Sequence, residues 1–211
     1  MSGDLIVVGG GGHAKVVVAT ARAAGFRVVA VVDDARARWG GEVLGVPITG
    51  PSDPVLADPA AQVVLAIGSN AARRQRAVGA RCRFVSIVHP SAVVDPSVAL
   101  GAGSVVFAGA VVQPDAVLGA HAIVNTGASI DHDCVLGAAV HVAPGTRLAG
   151  NVTLGDEVFL GIGAVVIPGV AIGAGTTVGA GAAVVHDLPA RVLAVGVPAR
   201  VLRILGGLPE A

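Results

Sequence analysis

The sequence predicts two units in series: an α/β unit over residues 1–88, built on a small parallel sheet, and a triangular parallel β-coil over residues 89–211. Three observations predict this. From Val94 to Val184 every sixth residue, sixteen in a row, is Val, Ile or Leu without one insertion. Before residue 89, short aliphatic runs alternate with stretches of helical spacing, as in strands joined by crossover helices. The composition is 54% hydrophobic, yet holds four Phe, one Trp, no Tyr and 31 Gly. An ordinary core fills its volume with aromatics, and a disordered chain is poor in aliphatics. A thin, repetitive aliphatic core fits both facts.

In the first unit Leu5–Val8 reads as a buried strand, Gly9–His13 as a tight turn, and Ala14–Gly25 as a helix that stops at Gly25. Val28–Val32 is the next strand and ends at Asp33 and Asp34. A third strand, Val63–Ile67, is followed by Gly68, Ser69 and Asn70 and then a helix carrying Arg73, Arg74 and Arg76. A short strand near Phe84–Val88 leads into His89 and Pro90.

In the second unit a small or apolar residue stands four after each aliphatic, as at Ala110, Ala128, Cys134 and Thr146. That residue and the next aliphatic are two apart, so a short strand points both inward. Glycines such as Gly119, Gly137 and Gly155 follow the aliphatic and are read as turn formers. Three faces of six residues close one coil. The run amounts to about five coils, a prism roughly 25 Å tall at the usual strand spacing.

Charge narrows the function. Fourteen Lys and Arg against fourteen Asp and Glu leave no net charge, hence no overall footprint for nucleic acid or an anionic membrane. The longest apolar runs fall far short of the ~20 residues that span a bilayer. The opening MSGDLIVVGG lacks a cationic start and a cleavage site, so no secretory signal is expected. Two cysteines, Cys82 and Cys134, build neither a disulfide framework nor a cysteine-based zinc site, and a cytoplasmic location is expected.

Two constellations carry chemistry. Gly9, Gly11 and Ala14 form a G-x-G-x-x-A turn between a strand and a helix, with Asp33 further on at a strand end. A unit this short supplies only half of a dinucleotide fold. Such a half is either a purely structural glycine turn or a site for a single nucleotide or sugar nucleotide, its diphosphate on one helix start, with His13 and Lys15 beside it. The second constellation is a column of turn positions, one per coil: Pro96, Pro114, His132, Gly150, Pro168, His186. In its middle a histidine flanked by Asp131 and Asp133 stands one coil from a glycine. Either both residues merely tolerate the turn, or they form a base beside a bare backbone N–H, as acyl transfer requires. His141 sits at an outward strand position whose column mates, Val105, Ile123, Phe159 and Thr177, are mainly apolar. A subunit contact is expected to bury that side and to bring His141 toward His132 of a neighbour. Arg147, the only Lys or Arg between residues 94 and 186, faces either a phosphate or solvent. His89, His121 and His186 read as structural or surface residues.

These residues carry a resemblance. Residues 94–188 resemble the hexapeptide-repeat acyltransferases. More narrowly, GGGGHAKVV, the Asp33–Asp34 pair, IGSN, HPSA, IDHDCVLG, HVAPG, AGNV and VGVPAR occur in that order. They resemble the bacterial sugar acetyltransferases, of the sialic-acid O-acetyltransferase and nucleotide-4-amino-sugar N-acetyltransferase type. The resemblance implies a Rossmann-like half followed by a left-handed parallel β-helix, assembled as a homotrimer with active sites between subunits. It implies acetyl transfer from acetyl-CoA to a nucleotide-linked amino sugar, and no metal. His132 matches the family's base and Asp133 the acid that assists it. His141 and Gly150 match contacts of the thioester, and Ile162 and Ala180 match the lining of the pantetheine. Gly12, His13, Ala14, Lys15, Asp33, Asp34, Gly68, Ser69 and Asn70 match the nucleotide-sugar site. The alternatives are O-acetylation of a sugar such as sialic acid, a trimeric β-helix metalloenzyme using His121, His132 and His141, and a non-catalytic scaffold or sensor.

Overall fold

The computed structural model describes residues 4–206. The first three residues, part of the stretch read for a signal, and the end of the C-terminal tail lie outside the described residues.

The first unit is a six-stranded sheet with helices. Its elements are β1 (Asp4–Val8), α1 (Gly12–Ala23), β2 (Arg27–Val32), β3 (Glu42–Val43), β4 (Val46–Gly50), α2 (Asp53–Ala57), β5 (Gln62–Leu65), α3 (Asn70–Ala77) and β6 (Arg83–Phe84). The order across the sheet is β3-β4-β2-β1-β5-β6, and only the β3–β4 pair is antiparallel. Helix α1 ends where Gly25 takes φ 84°, a left-handed value that a side chain would resist.

The solenoid is built from strands of two residues stacked into three parallel sheets along its faces. Its first strand, Ile87–Val88, pairs with Val105–Val106, so the stretch expected as one strand near Phe84–Val88 is two. The break falls at Val85 and Ser86, where the chain leaves one sheet for the other. Leu118, Ile130, Leu136, Leu148 and Leu160 point inward and are almost wholly buried, as are the small partners Ala110, Ala128, Cys134 and Thr146. Each buried aliphatic contributes about 1.5–3 kcal/mol of transfer free energy. The few polar side chains inside donate to nearby carbonyls, Thr146 Oγ1 to Gly161 O at 3.0 Å and Cys134 Sγ to Ala149 O at 3.2 Å. The hairpin of Val192–Val195 and Arg200–Ile204 closes the far end.

Two expectations need correction. The glycines that directly follow an aliphatic, such as Gly119 and Gly161, are required by stacking rather than by the turn. A Cβ on Gly119 would stand 2.6 Å from Ala138 N, and one on Gly161 would stand 2.6 Å from Ala180 N. The second correction concerns the apolar outer column. Along its first coils the chain's own first unit covers it. Val105, Phe107 and Ile123 share one core with Leu5, Val7, Ala14, Val17 and Val18. Helix α1 carries an apolar stripe that must be buried, and the flat face beside it meets that need within one chain.

Candidate active site

His132 lies in the corner between the strands Ser129–Ile130 and Val135–Leu136. Asp133 follows in the left-handed region at φ 57°, a conformation that aspartate tolerates. Its Oδ2 lies 2.6 Å from His132 Nδ1, and Asp131 Oδ1 accepts the His132 backbone N–H at 2.8 Å. The hydrogen bond to Asp133 raises the pKa of His132 above the ordinary value, and the negative charges of Asp131 and Asp133 add to the shift. With Nδ1 donating to the carboxylate, the lone pair falls on Nε2. That edge of the ring rests on Gly150, where a Cβ would stand 2.6 Å from both Cε1 and Nε2. The Gly150 amide donates to no group among the described residues. The corner therefore offers a basic nitrogen next to a free backbone donor. Cys134 is no rival nucleophile, because it is fully buried and burial pushes its thiol pKa up.

Ile162 and Ala180 occupy the next corner of the prism, one coil apart and linked by Gly181 N donating to Ile162 O at 2.8 Å. Ile162 is 62% exposed, an apolar side chain open to contact from outside the chain. The face between the two corners carries Arg147, whose guanidinium bonds Gly127 O, and the exposed Val165.

The first unit holds a cleft of about 320 Å³ lined by Gly9, Gly12, His13, Asp33, Asp34, Arg38 and Gly68, among others. The start of α1 opens onto it, with no side chain capping the helix. Asp33 is 6% exposed. It accepts from Gly10 N at 2.6 Å, Ala35 N at 2.7 Å and Arg38 Nη1 at 2.7 Å. Burial would raise its pKa, but these donors hold the carboxyl below its usual range. Asp34 is likewise held low by Ser52 and Arg76 against the opposing effect of burial. Both carboxylates are thus charged and engaged, and the half-exposed guanidinium of Arg38 is the cation on the cleft wall. Sequence reasoning missed Arg38 because its segment has no periodic pattern. Ala14 is wholly buried in the core, and Lys15 is exposed and outside the lining.

A second cleft of about 380 Å³ lies between the units, lined by Gly68, Ser69, Asn70, Ala71, Glu157, Phe159, Gly175 and Thr177. His141 stands close by, its ring centroid 6.2 Å from that of His13 and 5.2 Å from that of Phe159. Burial and the nearby Arg73 push His13 and His141 each down to about 4, so both rings are neutral near pH 7. Neither His132 nor Gly150 lines either cleft. Within one chain the structure groups His141 with His13 and Gly68, apart from the His132 corner. His121 packs edge-on against Phe84 at 4.5 Å. Among the described residues no group of three or more His, Cys, Asp or Glu side chains is placed to hold a metal ion.

Comparison with known proteins adds three findings. Residues 4–78 match the family model described as the PglD N-terminal domain. No curated protein matches the sequence. Solved structures match along nearly the whole chain. A histidine-to-asparagine variant of perosamine N-acetyltransferase from Caulobacter crescentus, in complex with CoA and GDP-perosamine, is 48% identical with a TM-score of 0.88. The match covers 94% of this chain and 96% of that one. The acetyltransferase domain of PglB from Neisseria gonorrhoeae, in complex with acetyl coenzyme A, is 39% identical with a TM-score of 0.89, covering 96% and 100%. WeeI from Acinetobacter baumannii is 27% identical with a TM-score of 0.82, covering 95% and 100%.

Proposed function

The chain belongs to the nucleotide-amino-sugar acetyltransferases of the hexapeptide-repeat, left-handed β-helix family, and from that premise we propose which of its residues carry the transfer and how. It is an acetyl-CoA-dependent sugar N-acetyltransferase that moves acetyl to the amino group of a nucleotide-activated amino sugar. The observation that carries the mechanism is the His132–Asp133 pair seated against Gly150.

The neutral sugar amine attacks the thioester carbonyl. A C–N bond forms, the C–S bond breaks, and the CoA sulfur leaves with the electron pair. His132 Nε2 takes the proton that the amine loses, and the imidazolium returns one to the departing thiolate. Asp133 holds Nδ1–H and stabilises the imidazolium. The Gly150 amide donates to the oxyanion of the tetrahedral intermediate. Ile162 and Ala180 line the pantetheine arm, and Arg147 lies on the face between them and the His132 corner. The nucleotide diphosphate rests on the start of α1 with Arg38, His13 and the Gly68–Asn70 loop around it.

His132 and the cleft of its own chain lie apart, so the complete site joins the His132 corner of one copy to the His13–His141 side of another. The assembly we propose is the homotrimer that the resemblance implies, a closed ring in which each corner meets the cleft of the next copy. A guanosine diphosphate 4-amino-4,6-dideoxy sugar of the perosamine type is the first substrate to try, given the relative that binds GDP-perosamine. No helix among the described residues is long and apolar enough to cross a membrane. We place the enzyme in the cytoplasm, in keeping with its two free cysteines.

The test is free-thiol release from acetyl-CoA over a panel of GDP-, UDP- and dTDP-linked 4-amino sugars. The reading expects sugar-dependent release with at least one of them. Release with sialic acid alone would overturn it in favour of O-acetylation.

A further inference from the structure

Arg73 is 1% exposed, and the reaction as described does not use it. Among the described residues its guanidinium makes no carboxylate ion pair. Instead Nε donates to His121 O at 2.9 Å, Nη1 to Ile67 O at 2.9 Å, and Nη2 to Ala139 O at 2.7 Å and to Asn70 Oδ1 at 3.0 Å. Longer contacts reach Gly68 O and Val140 O, both at 3.4 Å. The acceptors fall into two sets. Ile67, Gly68 and Asn70 form the loop after β5, whereas His121, Ala139 and Val140 are corner and edge residues of the solenoid next to His141. Asn70 completes the brace from the loop side, its Nδ2 donating to Glu157 O at 3.0 Å and Val158 O at 3.1 Å.

The braced loop is the wall that the two clefts share. Ile67 and Gly68 line the cleft of the first unit, and Gly68, Ser69 and Asn70 line the cleft between the units. A buried cation whose hydrogen-bond partners are all neutral carbonyls, with the Glu157 charge acting only at a distance, is a costly choice where stability is the sole aim, since an apolar residue of similar volume serves packing as well. A planar fork with several fixed donors does what an apolar residue cannot. It fixes direction.

We propose that Arg73 is a positioning residue for acetyl transfer, holding the Ile67–Asn70 loop against the solenoid at Ala139 and Val140 so that the sugar nucleotide is presented at a fixed distance from the acetyl donor. This rests on the reading that the loop binds the sugar nucleotide. Burial lowers the guanidinium only to about 10, so it is charged at neutral pH. Arg73 touches neither reactant and acts through the loop.

The experiment compares Arg73→Lys and Arg73→Gln with wild type for KM of each substrate, kcat, and binding of the sugar nucleotide and of acetyl-CoA by calorimetry. Lysine keeps the charge but lacks the fork. Both variants are expected to raise the sugar-nucleotide KM at least ~10-fold and to lower kcat, with acetyl-CoA binding unchanged. Equal loss for both substrates, or wild-type KM in a variant that is merely less heat-stable, would overturn the proposal. If wild type itself binds no sugar nucleotide, the underlying reading fails instead. If neither variant folds, hydrogen exchange on wild type decides. Amides of residues 67–70 and 139–141 should gain protection together as the sugar nucleotide is added, and protection of one set alone refutes the coupling.

Discussion

The His132 ring sits on Gly150, one coil along the prism, so closely that a methyl group there would stand 2.6 Å from Nε2. Gly150→Ala therefore displaces the ring or swings it out of the corner. His132 is half exposed, so the ring has room to leave. Melting temperature should hold within a few degrees while kcat falls ~10-fold or more. Steady-state kinetics beside a thermal melt separates the two effects.

Asp133→Asn removes the carboxylate that raises the pKa of His132. The base works when neutral, so activity rises with pH through that pKa. In the variant the acidic limb of the kcat/KM profile should move to lower pH, and the plateau should drop because the base is weaker. An unmoved limb would remove Asp133 from the role given to it.

The solenoid core answers to volume. Leu136 is 2% exposed and sits in the inward column. Leu136→Ala should cost ~2–5 kcal/mol in denaturant unfolding. Leu136→Asp, which buries an unpaired carboxylate, should abolish folding of that coil.

Acid should loosen the junction of the two units. His13 and His141 are held near 4 against an ordinary 6.5, so the folded chain resists binding the protons that the unfolded chain accepts. The stability that neutral rings confer is complete above about pH 6.5 and is lost as pH falls toward 4. His141→Asn should flatten the slope of melting temperature across that window.

Legibility in the sequence followed periodicity. The sixteen aliphatics from Val94 to Val184 are near-perfect because every coil repeats one environment, and the column containing His132 and Gly150 could be read from the same spacing. β3 and β4 were not legible, since Val46–Gly50 is set by pairing with β2 and Glu42–Val43 by pairing with β4 rather than by a pattern of their own. Arg73 was visible only as one of three arginines on a basic helix. Nothing local distinguishes a buried guanidinium from an exposed one, and its acceptors lie up to 67 residues away. The spacing marks the column through Val105 and Ile123 as a face to be covered, and β1 and α1 of the same chain lie on it. Strand periodicity marks an apolar face without saying which surface will meet it.

The most direct test of the central claim is single-turnover acetyl transfer by His132→Ala with both substrates saturating. The account predicts a rate lowered by ~10²–10⁴ with acetyl-CoA affinity near wild type. A rate within twofold of wild type would contradict it and move the base to another residue.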